Sequence, residues 1–169
     1  MKIENTNYVN YLIELSKDGR KRAFLDLCEL NLRNVFTVAY RLVADFETTK
    51  KITLKIFFWG WDNIKNYDSN LPFSLWIKNL AIRYSINELR RFIVPKSIPK
   101  ERGKCTSEFE YLESLILSLP VDERIIFVLH DLEGYSYQEI HDFLNELDID
   151  EIKTKLINTR EYLMSEINL

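Results

Sequence analysis

Side chains that could bind a metal or act as a nucleophile are few in this 169-residue sequence, and they lie far apart. The histidines His130 and His141 lie on different predicted helices, and neither has a cysteine nearby. The cysteines Cys28 and Cys105 form no CxxC pair, so the sequence lacks both a zinc-ligand set and a disulfide framework. Four glycines are too few to build a phosphate-binding loop. We therefore expect no enzyme, no metal site and no bound cofactor.

The distribution of charge is more informative than these side chains, because the net charge differs between the two halves of the chain. Residues 1–91 carry 15 Lys and Arg against 10 Asp and Glu, a net charge of +5. Residues 92–109 carry four against two, and residues 110–169 carry four against 14, a net charge of −10. The whole-chain charge of −3 hides this asymmetry, which predicts different partners for the two halves.

Basic and polar residues recur along a predicted helix that covers about residues 75–92. Arg and Lys neutralise phosphates, whereas polar and aromatic groups receive unstacked bases, so this pattern indicates contact with nucleic acid. The alternative is an ordinary solvated basic face, in which Trp76 belongs mainly to the core. The candidate nucleic-acid contacts on this helix are Lys78, Asn79, Arg83, Asn87, Arg90 and Arg91.

Four aromatic residues, Phe57, Phe58, Trp59 and Trp61, follow one another too densely to fill a single buried stripe. Some of these rings must therefore face outward, and exposed aromatic rings often anchor interfaces. A bulky core is the alternative for Phe57 and Trp61, whereas Trp59 lies off their face and favours a partner contact.

A second candidate reading surface lies on the last predicted helix. Lysine can bind the N7 and O6 atoms of guanine, and asparagine can bind adenine. The N-terminal end of this helix carries Asp148, Asp150 and Glu151, which suit the helix dipole but repel phosphates. With a net charge of −10 around it, we expect this helix to bind duplex DNA weakly on its own. The candidate DNA contacts here are Lys153, Thr154, Lys155, Asn158 and Arg160.

Apolar residues spaced three or four apart predict an all-α chain, since no alternating strand pattern occurs between turn signals. In the third helix we expect Ser74 to be the N-cap and Trp76, Leu80, Tyr84 and Leu89 to share one face. Ser136 and Glu139 have the spacing of a capping box. The predicted helices cover about residues 24–44, 48–61, 75–92, 108–117, 121–131, 137–145 and 150–167.

Two prolines four residues apart, Pro95 and Pro99, exclude a helix interior and predict an extended linker. We therefore expect two small helical domains, residues 1–92 and 108–169, joined by a short basic linker at 93–107. Two short helices and a longer helix with a polar start give the second domain the order of a helix-turn-helix.

Read together, three motifs of the second half resemble region four of a bacterial sigma factor of the extracytoplasmic-function (ECF) group. Leu119-Pro120, Arg124 and Phe127-Val128-Leu129 match the pattern L-P-x-x-x-R-x-x-F-x-L. The run from Gly134 to Ile140 is similar to G-x-S-Y-x-E-I-A, and the run from Glu151 to Leu156 is similar to T-V-K-S-R-L. Two departures stand out, because one extra residue falls within 145–148 and His141 occupies a small-residue position.

The first half resembles sigma region two, over about residues 24–91. Phe57 and Trp61 match aromatic positions of the polymerase-binding helix, and Arg90-Arg91 matches the basic pair that closes the promoter-reading helix. Phe73 to Ile77 is similar to F-x-x-W-L. The acidic A-E-D of the family is replaced by Thr49-Lys50-Lys51, and a later Gln by Leu54, which reverses the charge of the usual polymerase contact.

The resemblance implies a sigma factor that binds core RNA polymerase and directs promoter-specific initiation. It implies contacts with the clamp helices and flap of the polymerase, with duplex promoter DNA and with the opened non-template strand, and an anti-sigma factor as a possible partner. The polymerase contacts that it implies are Lys50, Lys51, Phe57, Trp59 and Trp61. The residues near the start lack a signal-peptide apolar core, and no apolar run approaches the roughly 20 residues of a membrane span. We therefore expect a cytoplasmic, nucleoid-associated protein that does not contact a membrane.

Two other functions stay open from the sequence. In the first, the chain recruits polymerase but another DNA-targeting protein, docked on the acidic region four, selects the site. The Lys50-Lys51 pair, the charge of −10 and the lengthened turn favour this adaptor. The second is a stand-alone helix-turn-helix repressor, which the two-domain order and the acidic end of the last helix disfavour.

Overall fold

The computed structural model describes residues 2–91 and 107–167, and within these ranges the chain is helical and contains no strand. The all-α prediction is therefore confirmed for the described residues. The helices are α1 (Lys2–Lys17), α2 (Lys21–Val43), α3 (Phe46–Asn63), α4 (Phe73–Arg91), α5 (Glu108–Ser118), α6 (Val121–Phe127), α7 (Tyr137–Phe143) and α8 (Ile149–Ile167).

The chain divides into two compact units. One unit comprises Met1–Tyr40 with Asp45–Ser85, and the other comprises Arg41–Ala44 with Ile86–Leu169. The predicted linker lies outside the described residues except for Ser107, which is the N-cap of α5 and accepts a hydrogen bond from the Glu110 amide. The domain limits at 92 and 108 stay predictions.

The sequence pattern did not predict α1, which buries Leu12 and Ile13. This helix ends at a tight turn, where Gly19 has a φ of 85° and its amide donates to the Ser16 carbonyl oxygen. A positive φ of this size favours glycine, so the turn fixes the point at which α2 begins.

The core of the first unit is built around a close approach at Gly60 on α3. A Cβ atom there would lie 3.2 Å from Ile77 Cδ1 and 3.2 Å from Phe24 Cζ, so a larger residue would force these side chains to shift by a few tenths of an ångström. Phe24, Ile52 and Ile56 are buried in this core.

The buried face of α4 differs from the predicted one. The helix begins at Phe73, so Ser74 lies inside its first turn and is not the N-cap. The predicted stripe of Trp76, Leu80, Tyr84 and Leu89 is only half-buried, because a different side of the helix faces the core. The buried residues of α4 are Phe73, Ile77, Ala81, Ile82, Ser85 and Ile86.

In the second unit, α6 continues into a π-helical turn at Val128–Leu132, and Gly134, with a φ of 77°, follows it. The Ser136–Glu139 capping box is present in full, as predicted, and it starts α7. This helix ends at Phe143, two residues before the predicted end.

Arg124 braces the start of α6 from within the core. Its side chain is 3% exposed, and it donates to the carbonyl oxygens of Leu117 at 2.8 Å and Leu119 at 3.2 Å. Burial lowers the pKa of this guanidinium. The arginine of the L-P-x-x-x-R pattern therefore stabilises the turn between α5 and α6 and does not face a ligand.

Candidate functional site

The outward face of α3 carries two exposed apolar side chains one turn apart. Leu54 is 58% exposed and Phe58 is 70% exposed, although both lie in the middle of a long helix. At 100° per residue they project about 40° from each other, on the side opposite the buried Ile52 and Ile56. Such a pair of unpartnered anchors is typical of a helix that binds another helix.

Lys50 and Lys51 flank this apolar pair, about 40° and 60° from Leu54 around the helix. Both lysines are exposed. Lys50 lies 3.2 Å from Glu47 on the same helix, an exposed pair that binds weakly and is easily exchanged for another carboxylate. The outward face of α3 is therefore apolar in its centre and basic at its edges.

A groove of about 550 Å³ lies beside this face, between α2 and α3 of the first unit. Its lining combines apolar side chains with a few charged ones, so a partner helix would meet both kinds of group. The lining residues are Glu29, Leu32, Arg33, Phe36, Thr37, Lys50, Thr53 and Leu54.

The three aromatic residues expected to contact polymerase do not share one face. Trp61 is half-buried against Phe24, with ring centroids 5.4 Å apart, and Phe57 lies at the edge of the outward face. Trp59 projects to the opposite side of α3 and packs on Trp76 at 5.7 Å, so its position does not support the predicted partner contact. Sequence reasoning missed Leu54 and Phe58 as the central pair, although their i, i+4 spacing opposite Ile52 and Ile56 was a usable signal.

Most of the predicted contacts on α4 do share one face. Asn79, Arg83, Asn87 and Arg90 project within about 80° of one another around the helix, and the buried Ile86 borders this face about 20° from Asn79. Arg91 lies at the edge of this face. Lys78 projects about 140° from Arg83, so the structure separates it from the other candidates.

Trp76 lies in the centre of the same arc, and its ring is half-buried. Its neighbours are Tyr67 at 5.1 Å, Phe73 at 5.5 Å and Trp59 at 5.7 Å between ring centroids. These contacts agree with the expected structural role of Trp76. They hold its ring in place within the basic face.

The N-terminus of α8 is closed by its own acidic side chains. The Asp148 carboxylate accepts from the Glu151 amide at 2.8 Å, and the Glu151 carboxylate accepts from the Asp148 amide at 2.9 Å. This reciprocal capping box occupies backbone donors that helix-turn-helix proteins often offer to a DNA phosphate.

Two of the three basic residues predicted to contact DNA on α8 are held by carboxylates. Lys153 lies 3.1 Å from Asp150, and Arg160 donates to Asp131 through Nε at 2.8 Å and through Nη2. Hydrogen bonding from Arg160 keeps the pKa of Asp131 below its usual range.

The remaining candidates on α8 are one half-buried lysine, Lys155, and two exposed polar residues, Thr154 and Asn158. Thr154 and Asn158 project about 40° apart, so they share a face as predicted. The Thr154 hydroxyl donates to the Asp150 carbonyl oxygen at 2.8 Å, and its oxygen can still accept from a base.

The histidines and the described cysteine have ordinary structural surroundings. Burial raises the pKa of the Cys28 thiol to about 12, which makes it a poor nucleophile. His141 is half-buried, and its Nδ1 donates to the Leu147 carbonyl oxygen at 2.8 Å in the lengthened turn. No group of three or more His, Cys, Asp or Glu that could hold a metal occurs in the described part of the chain. Among the same residues, no helix is long and apolar enough to cross a bilayer.

Comparisons with known proteins show what this chain is similar to. Residues 109–140 match the family described as Sigma-70, region 4. The ECF RNA polymerase sigma factor SigW of Bacillus subtilis is 22% identical over 177 residues, covering 92% of this chain and 94% of SigW. These findings support an ECF sigma factor.

Solved structures of sigma factors have a similar fold. The sigma factor RpoE from Bartonella quintana, crystallised with the anti-sigma factor NepR, superposes with a TM-score of 0.62 at 15% identity. That match covers 86% of this chain and 97% of RpoE. CnrH in complex with the cytosolic domain of CnrY gives a TM-score of 0.60 at 18% identity, covering 95% of this chain and 97% of CnrH.

The sigma-factor match includes the residues that organise the second unit. The stretch 109–140 contains Leu119-Pro120, the buried Arg124 and the capping box of Ser136 and Glu139. The predicted resemblance to ECF sigma factors is thus confirmed, and the findings support a factor for transcription initiation.

Proposed function

We propose that this ECF sigma factor binds core RNA polymerase through the outward face of α3 and directs initiation at specific promoters. The observation that carries the proposal is the exposed Leu54–Phe58 pair beside the groove between α2 and α3. Large apolar side chains left exposed on a rigid helix gain free energy when a partner covers them. The clamp helices of the polymerase, which the resemblance names as the partner, offer a helical surface of the required kind.

The charge around this pair adds a condition on the partner. Lys50 and Lys51 stand where the family has acidic residues, so the clamp surface that meets this chain carries carboxylates at the matching positions. Complementary charges at the rim of an interface raise the rate of association and select the partner.

In the same proposal, the basic face of α4 holds the opened non-template strand. Arg83, Arg90 and Arg91 meet phosphates there, while Asn79 and Asn87 meet bases that have left the stack. Arg90 donates to the Glu146 carboxylate at 2.5 Å, so it must leave this carboxylate before it meets a phosphate. The half-buried ring of Trp76 packs beside these side chains and keeps this part of α4 rigid. Lys78 takes no part in this contact, because it projects to another side of the helix.

Region four then contacts the upstream promoter element through Thr154, Asn158 and Lys155, and it contacts the polymerase flap. Because polymerase supplies most of the affinity, a few weak base contacts are sufficient to bias the choice of site. RpoE and CnrH were solved with protein partners bound, and by this likeness we propose an anti-sigma partner for this chain as well. The proposed location is the cytoplasm, at the nucleoid.

The test replaces Leu54 and Phe58 together with alanine and measures affinity for core polymerase. Both side chains are exposed, so the free energy of unfolding should change little. We expect the affinity to fall at least about tenfold, since anchors of this kind are worth about 2 kcal/mol each. The matched control replaces Tyr11 and Leu30, two exposed apolar residues outside the groove, and should bind as the wild type does. Unchanged binding by the Leu54/Phe58 variant would remove the proposal.

One observation favours the adaptor function as a second candidate. The start of α8 presents an acidic capping box, and Lys153 and Arg160 are paired with carboxylates of the same unit. A helix with this surface offers few groups to phosphates, whereas a basic protein surface would match it. A separate DNA-targeting protein docked here would then select the site.

A further inference from the structure

The ion pair between Asp131 and Arg160 belongs to a cluster that joins three elements of the second unit. Asp131 and His130 lie in the π-helical turn, Arg160 lies on α8, and Tyr137 lies at the start of α7. His130 Nδ1 donates to the Asp131 carboxylate at 2.7 Å, and the His130 ring stacks on Tyr137 with centroids 4.7 Å apart. Lys153, also on α8, lies 5.9 Å from the Tyr137 ring.

The geometry of the pair is that of a fixed contact. Arg160 presents two parallel donors to the two carboxylate oxygens, which is the strongest arrangement that arginine makes with a carboxylate. The Asp131 side chain is 19% exposed and the Arg160 side chain 43%, so the contact lies at the surface with its carboxylate side partly shielded. Separation of the two groups would leave the carboxylate with His130 as its remaining partner.

The π-helical turn is part of this arrangement. A π-turn is rare and adds a residue to one turn of a helix, and such turns occur mainly at functional positions. Here the turn carries both His130 and Asp131, the two residues that meet α7 and α8.

We infer that Asp131 and Arg160 are positioning residues, which set the orientation of α8 against the π-turn and α7, and that Arg160 is not a DNA contact. The inference rests on the proposed function and deepens it, because it assigns upstream promoter reading to Thr154, Asn158 and Lys155. It also replaces the sequence-based assignment of Arg160 as a residue that meets the promoter.

The test exchanges the two charges in the full-length chain and measures polymerase-dependent transcription on a library of upstream sequences. Asp131→Arg and Arg160→Asp should each reduce the upstream base preference at least about fivefold. The double exchange should restore the preference to within about twofold of the wild type, because the pair can form again in reverse. If Arg160 contacts a phosphate, the double exchange will stay as defective as Arg160→Asp, since an acidic group then faces the DNA.

A second measurement keeps the inference testable if the exchanged pair does not fold. The log–log dependence of promoter-complex stability on salt should be the same for Arg160→Gln and the wild type. A phosphate contact at Arg160 would instead reduce the slope by about 0.9. The slope reports released counterions, so a purely structural change in α8 does not imitate this result.

The unfolding midpoint in urea separates this inference from the proposed function. The two single variants should lower the midpoint, and the double exchange should recover most of the loss. If the double exchange recovers the midpoint but the chain supports no promoter-specific transcription, the proposed function is overturned and the positioning role of Asp131 and Arg160 stands. If the midpoint losses of the two single variants add up in the double exchange, the positioning role of the pair is overturned.

Discussion

The α3 and α8 helices show two different uses of charge in one chain. On α3 the core-facing side is apolar, and the outward side leaves Leu54, Phe58 and two lysines exposed to a partner. On α8 the outward side is acidic at its start, and its two outermost basic residues are held by carboxylates of the same unit. On α8, Lys153 and Arg160 thus stabilise the fold of the second unit, whereas Lys50 and Lys51 of α3 lie at a candidate interface.

This difference teaches that the number of basic residues on a helix is a poor measure of its capacity to bind DNA. Lys153 and Arg160 appear in the sequence as DNA contacts, but each must leave a carboxylate before it can meet a phosphate. The cost of that exchange is small for the exposed Lys153 and larger for Arg160, whose partner Asp131 is mostly shielded from water.

The largest expected effect concerns Arg124, the most buried cation of the second unit. Replacing it with methionine keeps most of the volume but leaves the carbonyl oxygens of Leu42, Leu117 and Leu119 without this donor. At about 1–3 kcal/mol for each unsatisfied buried acceptor, the free energy of unfolding should fall by about 3 kcal/mol. Urea unfolding followed by circular dichroism measures the change. The matched variant Arg83→Met, on the exposed face of α4, should alter the stability by less than about 0.5 kcal/mol.

The next prediction decides between direct promoter reading and docking of α8 on another protein. Asp150 is the residue to change, because Asp148 and Glu151 form the capping box and their loss would damage the helix itself. Under direct reading, Asp150→Asn removes repulsion and releases Lys153, so polymerase-dependent transcription should rise about two- to threefold. Under docking, the same change should lower transcription in cell extract while the fold stays intact.

Asn158→Ala supplies the control for that experiment. A base contact by Asn158 is worth about 1–3 kcal/mol of discrimination, so direct reading predicts a relaxed preference at one upstream base pair. A flat upstream preference in both the wild type and this variant would count against direct reading.

The smallest expected effect is a difference in salt dependence between variants of two basic residues on α4. Arg83 and Lys78 lie on different sides of α4, and only Arg83 belongs to the proposed DNA face. Arg83→Gln should reduce the salt dependence of binding to the opened non-template strand by about 0.7 in log–log slope. Lys78→Gln should leave the slope unchanged. Equal slopes for the two variants would contradict the placement of the basic face.

Local signals in the sequence predicted the second unit well. The Ser136–Glu139 capping box depends on two residues three apart, and its hydrogen bonds are present as expected. The helices that bury Ile125, Ile126 and Leu156 were also predicted, because each has a clear apolar period. Such features depend on neighbours in sequence, so a single chain contains the information.

The missed features depend on neighbours in space. Trp76 lies outside the buried face of α4, because its ring packs with Tyr67 and Trp59, which belong to other segments of the chain. The pairing of Arg160 with Asp131 joins residues on separate helices, and no spacing rule predicts it. Helix α1 was missed because its apolar pattern is weak and its burial of Leu12 and Ile13 depends on the rest of the unit.

The hydrogen bond from His141 to the Leu147 carbonyl oxygen links the two departures of region four from the family pattern. The resemblance implies that an extra residue lengthens this turn and that His141 replaces a small residue, which would be too short to reach the Leu147 carbonyl oxygen. We therefore expect the insertion and the histidine to be one compensated change and not two. In a wider set of relatives the two should be inherited together, so that lineages with the shorter turn keep the small residue and lineages with the longer turn carry a hydrogen-bond donor in its place.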